Sequence, residues 1–125
     1  IILLSFIPGL LSAQIISINN LRDRDSDLLN KKMTLANLVS IQTARRIPIT
    51  FFILAVICHL IFIVQTGVPA LFLVVVIYLL FLKKFTKILS MPINQELNNY
   101  LANTAKCLFI ISIIQSIILC LQKFL

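Results

Sequence analysis

Charge of either sign is scarce in this chain, and negative charge most of all. The sequence has four acidic residues in 125, against eleven lysines and arginines. Charged residues make up 12% of the chain, about half the share in soluble domains, while 60% of residues are hydrophobic and mean hydropathy is +1.06. This shortage excludes an ordinary soluble domain. It predicts an all-α, multi-spanning bundle of transmembrane helices.

Metal-binding, disulfide and nucleic-acid patterns are also missing. Cys58, Cys107 and Cys120 are scattered through apolar segments without CxxC spacing, which excludes a disulfide or thiolate–metal framework. His59 has no second ligand nearby in sequence, so we interpret it as a neutral, hydrogen-bonded residue of a span. Basic residues do not alternate with aromatic ones or form a compact basic helix. The net charge of +7 is therefore expected to have no nucleic-acid partner.

Apolar segments predict four spans, near residues 1–18, 48–66, 69–89 and 104–121. A span needs about 20 residues at about 1.5 Å each. The third reaches this length only if Lys83, Lys84 and Lys87 extend toward the membrane interface. The chain begins inside an apolar run, without a basic leader or a cleavage site, so we do not interpret that run as a signal peptide. We expect one transmembrane domain, the C-terminal portion of a longer protein.

Basic residues are unevenly divided between the connections. The connection 19–47 holds six and the stretch 83–106 holds four, whereas the turn Gly67-Val68-Pro69 holds none and Lys123 alone lies beyond the last span. Because lysine and arginine mark the cytoplasmic side, both long connections are predicted to be cytoplasmic. We interpret Arg45 and Arg46 as anchors of the second span, and Glu96 as part of a helix start or solvated loop.

Three of the four acids fall within residues 19–27. At about 100° per residue, Asn20, Asp23 and Asp27 lie within roughly 60° of one another on a helix, and Asp25 points nearly the opposite way. Carboxylates at i and i+4 repel by about 0.2–0.5 kcal/mol, which a divalent cation relieves. Oxygen ligands flanked by amides favour Mg²⁺, whose coordination a substrate phosphate often completes.

The residues alone leave a second interpretation open. Arg22 and Arg24 alternate with the acids, so composition alone favours a self-neutralised, solvated loop. The amides of Asn19 and Asn20, directly at the end of an apolar span, argue against it, because unpaired amides in hydrocarbon cost several kcal/mol.

The run Asn19-Asn20-Leu21-Arg22-Asp23, then Asp27 and Lys32-x-Thr34-Leu35, resembles the second aspartate-rich motif of the UbiA superfamily of intramembrane aromatic prenyltransferases. Within it, the pattern is most similar to the branch that acts on 1,4-dihydroxy-2-naphthoate in menaquinone synthesis. The resemblance implies a bundle of about nine spans. Its central cavity opens toward the cytoplasm, and two such motifs hold a polyprenyl diphosphate through Mg²⁺. Two positions depart from the family: Lys31 replaces a glycine, and Leu38-Val39-Ser40 replaces Arg-Leu-Gly.

The resemblance also implies residue roles and a reaction. Asp23 and Asp27 are expected to be catalytic Mg²⁺ ligands, and the expected substrate-binding residues are Asn19, Asn20, Arg22 and Lys32. The implied reaction transfers a polyprenyl group to 1,4-dihydroxy-2-naphthoate with loss of CO₂, giving demethylmenaquinone, in the bacterial inner membrane. One motif cannot hold the diphosphate from both sides, so these 125 residues alone are expected to be inactive. The alternatives are a sister enzyme of the 4-hydroxybenzoate type, or a non-enzymatic membrane subunit or transporter fragment.

Overall fold

A computed structural model of the chain describes residues 2–122, with only the backbone at residue 3. Every regular element in that range is helical. The α-helices are α1 (Ile2–Arg22), α2 (Arg24–Leu29), α3 (Leu35–Leu38), α4 (Ile41–Thr66), α5 (Phe72–Thr86) and α6 (Leu97–Gln122). The predicted all-α class with several spans is therefore confirmed. The first residue of the predicted first span, and Lys123, lie outside the described residues.

Within residues 2–122, three helices are long and apolar enough to cross a membrane: Leu4–Arg22, Ile41–Thr66 and Leu97–Gln122. The third predicted span is built differently. Its α-helix α5 has 15 residues, about 22 Å, and 3₁₀ turns at Pro69–Leu71 and Lys87–Leu89 add about 12 Å. The continuous helical segment of about 34 Å covers the roughly 30 Å of a hydrocarbon core.

The second long helix begins earlier than the sequence predicts. Ser40 is its N-cap, and the Ser40 hydroxyl accepts a hydrogen bond from the Thr43 backbone N–H at 3.2 Å. Pro48, predicted to start the span, lies inside α4 and removes one backbone donor there. The connection predicted at 19–47 is accordingly mostly helical, since it holds the last turn of α1, the whole of α2 and α3, and the first turns of α4.

The predicted turn between the second and third spans is confirmed. Gly67 ends α4 in the left-handed conformation at φ 64°, and its N–H donates to the Ile63 carbonyl at 2.9 Å. Pro69 then opens the 3₁₀ turn that leads into α5. So short a connection makes α4 and α5 antiparallel neighbours.

Two arginines join distant parts of the chain at one end of the bundle. Arg22, which ends α1, donates to the Asn98 side chain at the start of α6 at 2.6 Å. Arg45, near the start of α4, donates to the carbonyls of Ile88 and Met91 just after α5. These bonds gather the ends of α1 and α5 with the starts of α4 and α6. We call this the basic end and define it as residues 22–46 and 83–99, which carry nine lysines and arginines.

The interior between the long helices is apolar and aromatic. Phe52 on α4 meets Tyr78 and Phe85 edge to face, with ring centroids 5.5 and 4.8 Å apart. His59 is fully buried and contacts Tyr78 at 5.8 Å between ring centroids. Neither His59 ring nitrogen has a hydrogen-bond partner among residues 2–122, so the hydrogen bond expected for it is not found there. Large apolar side chains such as Val64 on the outer faces are exposed, as lipid contact requires.

Candidate functional site

The acidic run is a nearly continuous helix that bends once. The Asp23 N–H donates to the Asn19 carbonyl at 3.0 Å, and the Asp27 N–H donates to the Asp23 carbonyl at 2.8 Å. These i to i−4 bonds carry the helical register from α1 into α2, although the Asp23 backbone (φ −92°, ψ 6°) leaves the helical region. Side chains of the run therefore project on distinct faces. The Asp25 side chain is 88% exposed, and that of Asp27 is 9% exposed.

The first cluster of the site is centred on the Arg22 guanidinium. Its Nε and Nη2 each donate to one Asp23 carboxylate oxygen at 2.6 Å, in the fork geometry that planar guanidinium favours. Nη2 also donates to the Asn19 side-chain oxygen at 2.8 Å, and Nη1 to that of Asn98 at 2.6 Å. Two helices thus fix the orientation of the guanidinium, with Asn19 from α1 and Asn98 from α6.

The cation also sets the ionisation of Asp23. Hydrogen bonds from Arg22 lower the pKa of this carboxyl below its ordinary value, against an opposing effect of partial burial. The positive charges of Arg22 and Lys32 lower it further. Because the side chain is 30% exposed, water screens part of this interaction. Asp23 is therefore an ionised acceptor across the physiological range.

The second cluster is formed by a turn at the end of α2. The Lys31 N–H donates to the Leu28 carbonyl at 3.1 Å, and the Lys32 N–H donates to the Asp27 carbonyl at 2.8 Å. This pair of bonds is the Schellman motif, whose residue after the C-cap adopts a left-handed conformation. Here that residue is Lys31, at φ 56°. The turn brings Lys32 back over Asp27, where Nζ lies 3.2 Å from the carboxylate Oδ1.

Asp27 is the least exposed acid of the run and is incompletely paired. Lys32 contacts Oδ1, while Oδ2 is buried and has no hydrogen-bond partner among the described residues. A buried acceptor without a donor costs about 1–3 kcal/mol, and more when it is charged. This oxygen is the strongest indication in the acidic run that a ligand completes the site.

Arg24 fixes the outer side of the run. Its Nε donates to the Ala36 carbonyl at 2.9 Å, which ties α2 to α3, and its Nη1 lies 3.9 Å from the Asp25 carboxylate. Each of the three acids therefore has a cationic neighbour, the other two being Arg22 and Lys32. This arrangement matches one feature of the self-neutralised loop, but the burial of Asp27 does not.

An apolar groove lies beside the motif, where α1, α3 and α4 meet. Its volume is about 210 Å³. Asn20 is the residue of the acidic run that lines it, together with Ser17 one turn earlier on α1. The remaining lining residues are Ala13, Ile16, Leu35, Ala36, Ala44, Ile47 and Phe51. A polar amide at the end of an apolar groove suits a ligand with an apolar body and a polar head.

The oxygen donors of the acidic run are of the kind that a hard divalent cation takes. Within residues 2–122 there is no group of three or more acidic, histidine or cysteine side chains arranged to hold a metal. Asp27 Oδ2 is nevertheless an unpaired carboxylate oxygen, and the Asp23 oxygens retain lone pairs beyond those that Arg22 occupies. Few protein oxygens, completed by water and phosphate, are what Mg²⁺ takes in proteins.

The predicted site residues fall into three groups in the structure. Arg22, Asp23 and Asn19 form one cluster, Asp27 and Lys32 form a second, and Asn20 faces the groove. Asn98 contacts the first cluster although the sequence analysis gave it no role; it falls within the stretch 83–106 that was predicted to be a cytoplasmic connection. Its contact with Arg22 spans 76 positions, and no local pattern marks it.

No protein-family model matches the chain, and neither a curated protein nor a solved structure matches it at a significant level.

Proposed function

We propose that this chain carries the second diphosphate-binding motif of a UbiA-type membrane prenyltransferase that acts on 1,4-dihydroxy-2-naphthoate. The observation that carries the proposal is the buried Asp27 carboxylate, which is paired with Lys32 on one oxygen and has no hydrogen-bond partner among the described residues on the other. It lies at the basic end of an apolar bundle. A ligand with both a cation and a phosphate would satisfy Asp27 and Lys32 together.

The side chains of the motif suit the charge changes of prenyl transfer. In that reaction the allylic C–O bond breaks, and its electron pair leaves with the diphosphate. The new C–C bond forms at the ring carbon that bears the carboxylate, which departs as CO₂. Lys32 and Arg22 would supply positive charge that neutralises phosphate oxygens. Asp23 and Asp27 would hold Mg²⁺, which when bound adds neutralising charge on the leaving diphosphate.

Two further features support the proposal. The groove lined by Asn20 offers the prenyl chain an apolar surface, and a carbocation-like group requires water to be kept away. The left-handed backbone of Lys31 is the conformation for which glycine is preferred, and glycine is the residue usual at this position in the family that the motif resembles. The departure at Lys31 therefore changes the side chain without changing the turn.

A second candidate function is a non-enzymatic membrane subunit. The observation that favours it is the pairing of all three acids with cations of the same segment, which leaves the run neutral without a ligand. On this view the ion pairs only hold α2 against the end of α1 and the turn that follows α2. The two functions differ in what they require of Asp27. The amide in Asp27→Asn removes the negative charge that a metal site needs, whereas in a structural ion pair the same change affects only folding.

The test is prenyl transfer in membranes containing the full-length gene product. With a labelled polyprenyl diphosphate and 1,4-dihydroxy-2-naphthoate, we expect Mg²⁺-dependent transfer that Asp27→Asn lowers by about 100-fold or more. Asp25→Asn is the matched control, since that acid is exposed. Transfer to 4-hydroxybenzoate instead would identify the sister enzyme. Full activity in Asp27→Asn, or no transfer to either acceptor by a folded wild-type protein, would contradict the proposal.

A further inference from the structure

A polar pocket lies at the basic end, between the end of α5 and the start of α6. Its volume is about 210 Å³. It shares no lining residue with the groove beside the motif, and none of the predicted site residues lines it. The lining residues are Lys84, Lys87, Glu96, Asn99, Tyr100 and Asn103.

The pocket is rich in hydrogen-bond donors that the chain itself does not use. Within residues 2–122, Lys84, Lys87 and Glu96 form no ion pair, and the side chains of Asn99 and Asn103 make no hydrogen bond. Two lysines and two asparagines therefore line one pocket. The lining residues carry a net charge of +1, from two lysines and one glutamate.

The position of the pocket places it where a membrane meets water. Lys84 lies in the last turn of α5, and its Nζ sits 5.3 Å from the centre of the Phe81 ring, as a side chain extending out of an apolar segment does. One turn deeper than Lys84, Leu80 is exposed on α5. Ile110, which lies seven residues beyond Asn103 and so on the same face of α6, is 38% exposed. A ligand held in the pocket would have exposed apolar surface beside it on the membrane side.

We propose that this pocket binds the phosphate of an anionic phospholipid headgroup, with the acyl chains along the exposed apolar faces of α5 and α6. Basic pockets between transmembrane helices are a recurrent headgroup site. A net charge of +1 matches the single charge of a phosphodiester better than the higher charge of free phosphate or diphosphate. Lys84 and Lys87 would contact the phosphate oxygens, while Asn99 and Asn103 would bond the headgroup. Glu96 would weaken the binding.

The experiment measures lipid retained by the chain in neutral detergent, by native mass spectrometry, with phosphatidylglycerol titrated against phosphatidylcholine. The wild-type chain should retain phosphatidylglycerol selectively. Lys84→Gln with Lys87→Gln should weaken retention by about tenfold to thirtyfold, since each lysine near an anionic phosphate contributes about one factor of five. The Glu96→Gln variant should tighten it.

The matched control removes two positive charges elsewhere at the same end, with Arg46→Gln and Lys83→Gln. Neither residue lines the pocket, so retention should change less than twofold. An equal loss in this control would show a diffuse electrostatic effect and overturn the proposal. So would displacement of the lipid by millimolar inorganic phosphate, which would identify a free-anion site. Helicity measured by circular dichroism establishes that each variant is folded. Asn99→Leu keeps both lysines and removes the amide proposed to bond the headgroup, so it should also weaken phosphatidylglycerol retention.

Discussion

Replacing Lys31 with glycine should stabilise the chain, although it removes a side chain and a charge. Lys31 is exposed, and its backbone lies at φ 56° in the left-handed region. A residue with a Cβ atom pays about 1–2 kcal/mol there, and glycine does not. Glycine also destabilises the folded state by about 0.4–1 kcal/mol, because an unfolded chain with glycine has more conformational entropy to lose on folding. The net gain in unfolding free energy should be about 0.5–1 kcal/mol.

A second position calibrates this value within the same molecule. Gly67 has nearly the same backbone, at φ 64°, and a Cβ atom added there would meet nothing within 4 Å. Gly67→Ala therefore measures the backbone effect without a steric clash. It should destabilise the chain by about the amount that Lys31→Gly stabilises it. Lys31→Ala keeps the Cβ atom and should show no gain, which separates the conformational effect from the loss of charge.

The assay is reversible unfolding of the chain in mixed micelles with increasing dodecyl sulfate, followed by far-ultraviolet circular dichroism. Lys31→Gly should shift the midpoint to higher denaturant, and Gly67→Ala should shift it to lower denaturant. If Lys31→Gly were no more stable than Lys31→Ala, the left-handed strain would not exist in the folded protein. The argument that the turn has a glycine-type backbone would then fail.

Three further predictions concern stability. Asn98→Ala should lower the unfolding free energy by about 0.5–1.5 kcal/mol, because the Arg22 guanidinium loses its hydrogen-bond acceptor on α6. Asn99→Ala is the control. Equal shifts of the thermal midpoint in both variants would contradict a stabilising bond between Arg22 and Asn98. The lowered pKa of Asp23 contributes stability above its unfolded value of about 3.9, which is lost as pH falls through the folded value. The Asp25→Asn variant keeps Asp23, so its unfolding free energy should fall between about pH 5 and pH 2 by more than that of Asp23→Asn. Parallel curves of unfolding free energy against pH for the two variants would refute this. Gln14→Leu should raise the thermal midpoint, since the Gln14 amide is 0% exposed and lacks a hydrogen-bond partner in the described part of the chain; a lower midpoint would show that the amide is bonded.

Local hydropathy and turn chemistry were sufficient to predict most of the helical architecture. The long apolar segments became helices, and the Gly67-Val68-Pro69 turn formed where both residue types interrupt a helix. These features depend on neighbours in sequence, so a single sequence contains them. The helix α4 begins seven residues before the apolar segment predicted as the second span, because hydropathy marks the apolar part of a helix and not its polar first turns. The cap at Ser40 sets the true start, and the helix accommodates the proline inside.

Local periodicity also predicts part of the geometry of the acidic run. Helical periodicity separated Asp25 from Asp27, and the exposed fractions of the two side chains differ as that argument requires. The role of Asn98 could not be predicted, because it depends on how α6 packs beside the end of α1. The left-handed turn at Lys31 could not be predicted from the sequence either. A lysine at a left-handed position gives no sequence signal, whereas a glycine there would have marked the end of α2.

The burial of Asp27 is what distinguishes the two candidate functions. The Asp27 side chain is 9% exposed and that of its partner Lys32 is 60% exposed, so the carboxylate is desolvated for an ion pair that water screens. If the pair served only to hold α2 in place, apolar side chains would do so at a lower cost to stability. The pair is also half-satisfied, because Oδ2 lacks a donor in the described part of the chain. Exposed Asp25, by contrast, makes no such demand on folding. A charge held at a cost to stability is expected where that charge is used. If so, Asp27→Leu with Lys32→Met should make the chain more stable while abolishing Mg²⁺-dependent transfer, whereas a structural pair would give a stable and fully functional subunit.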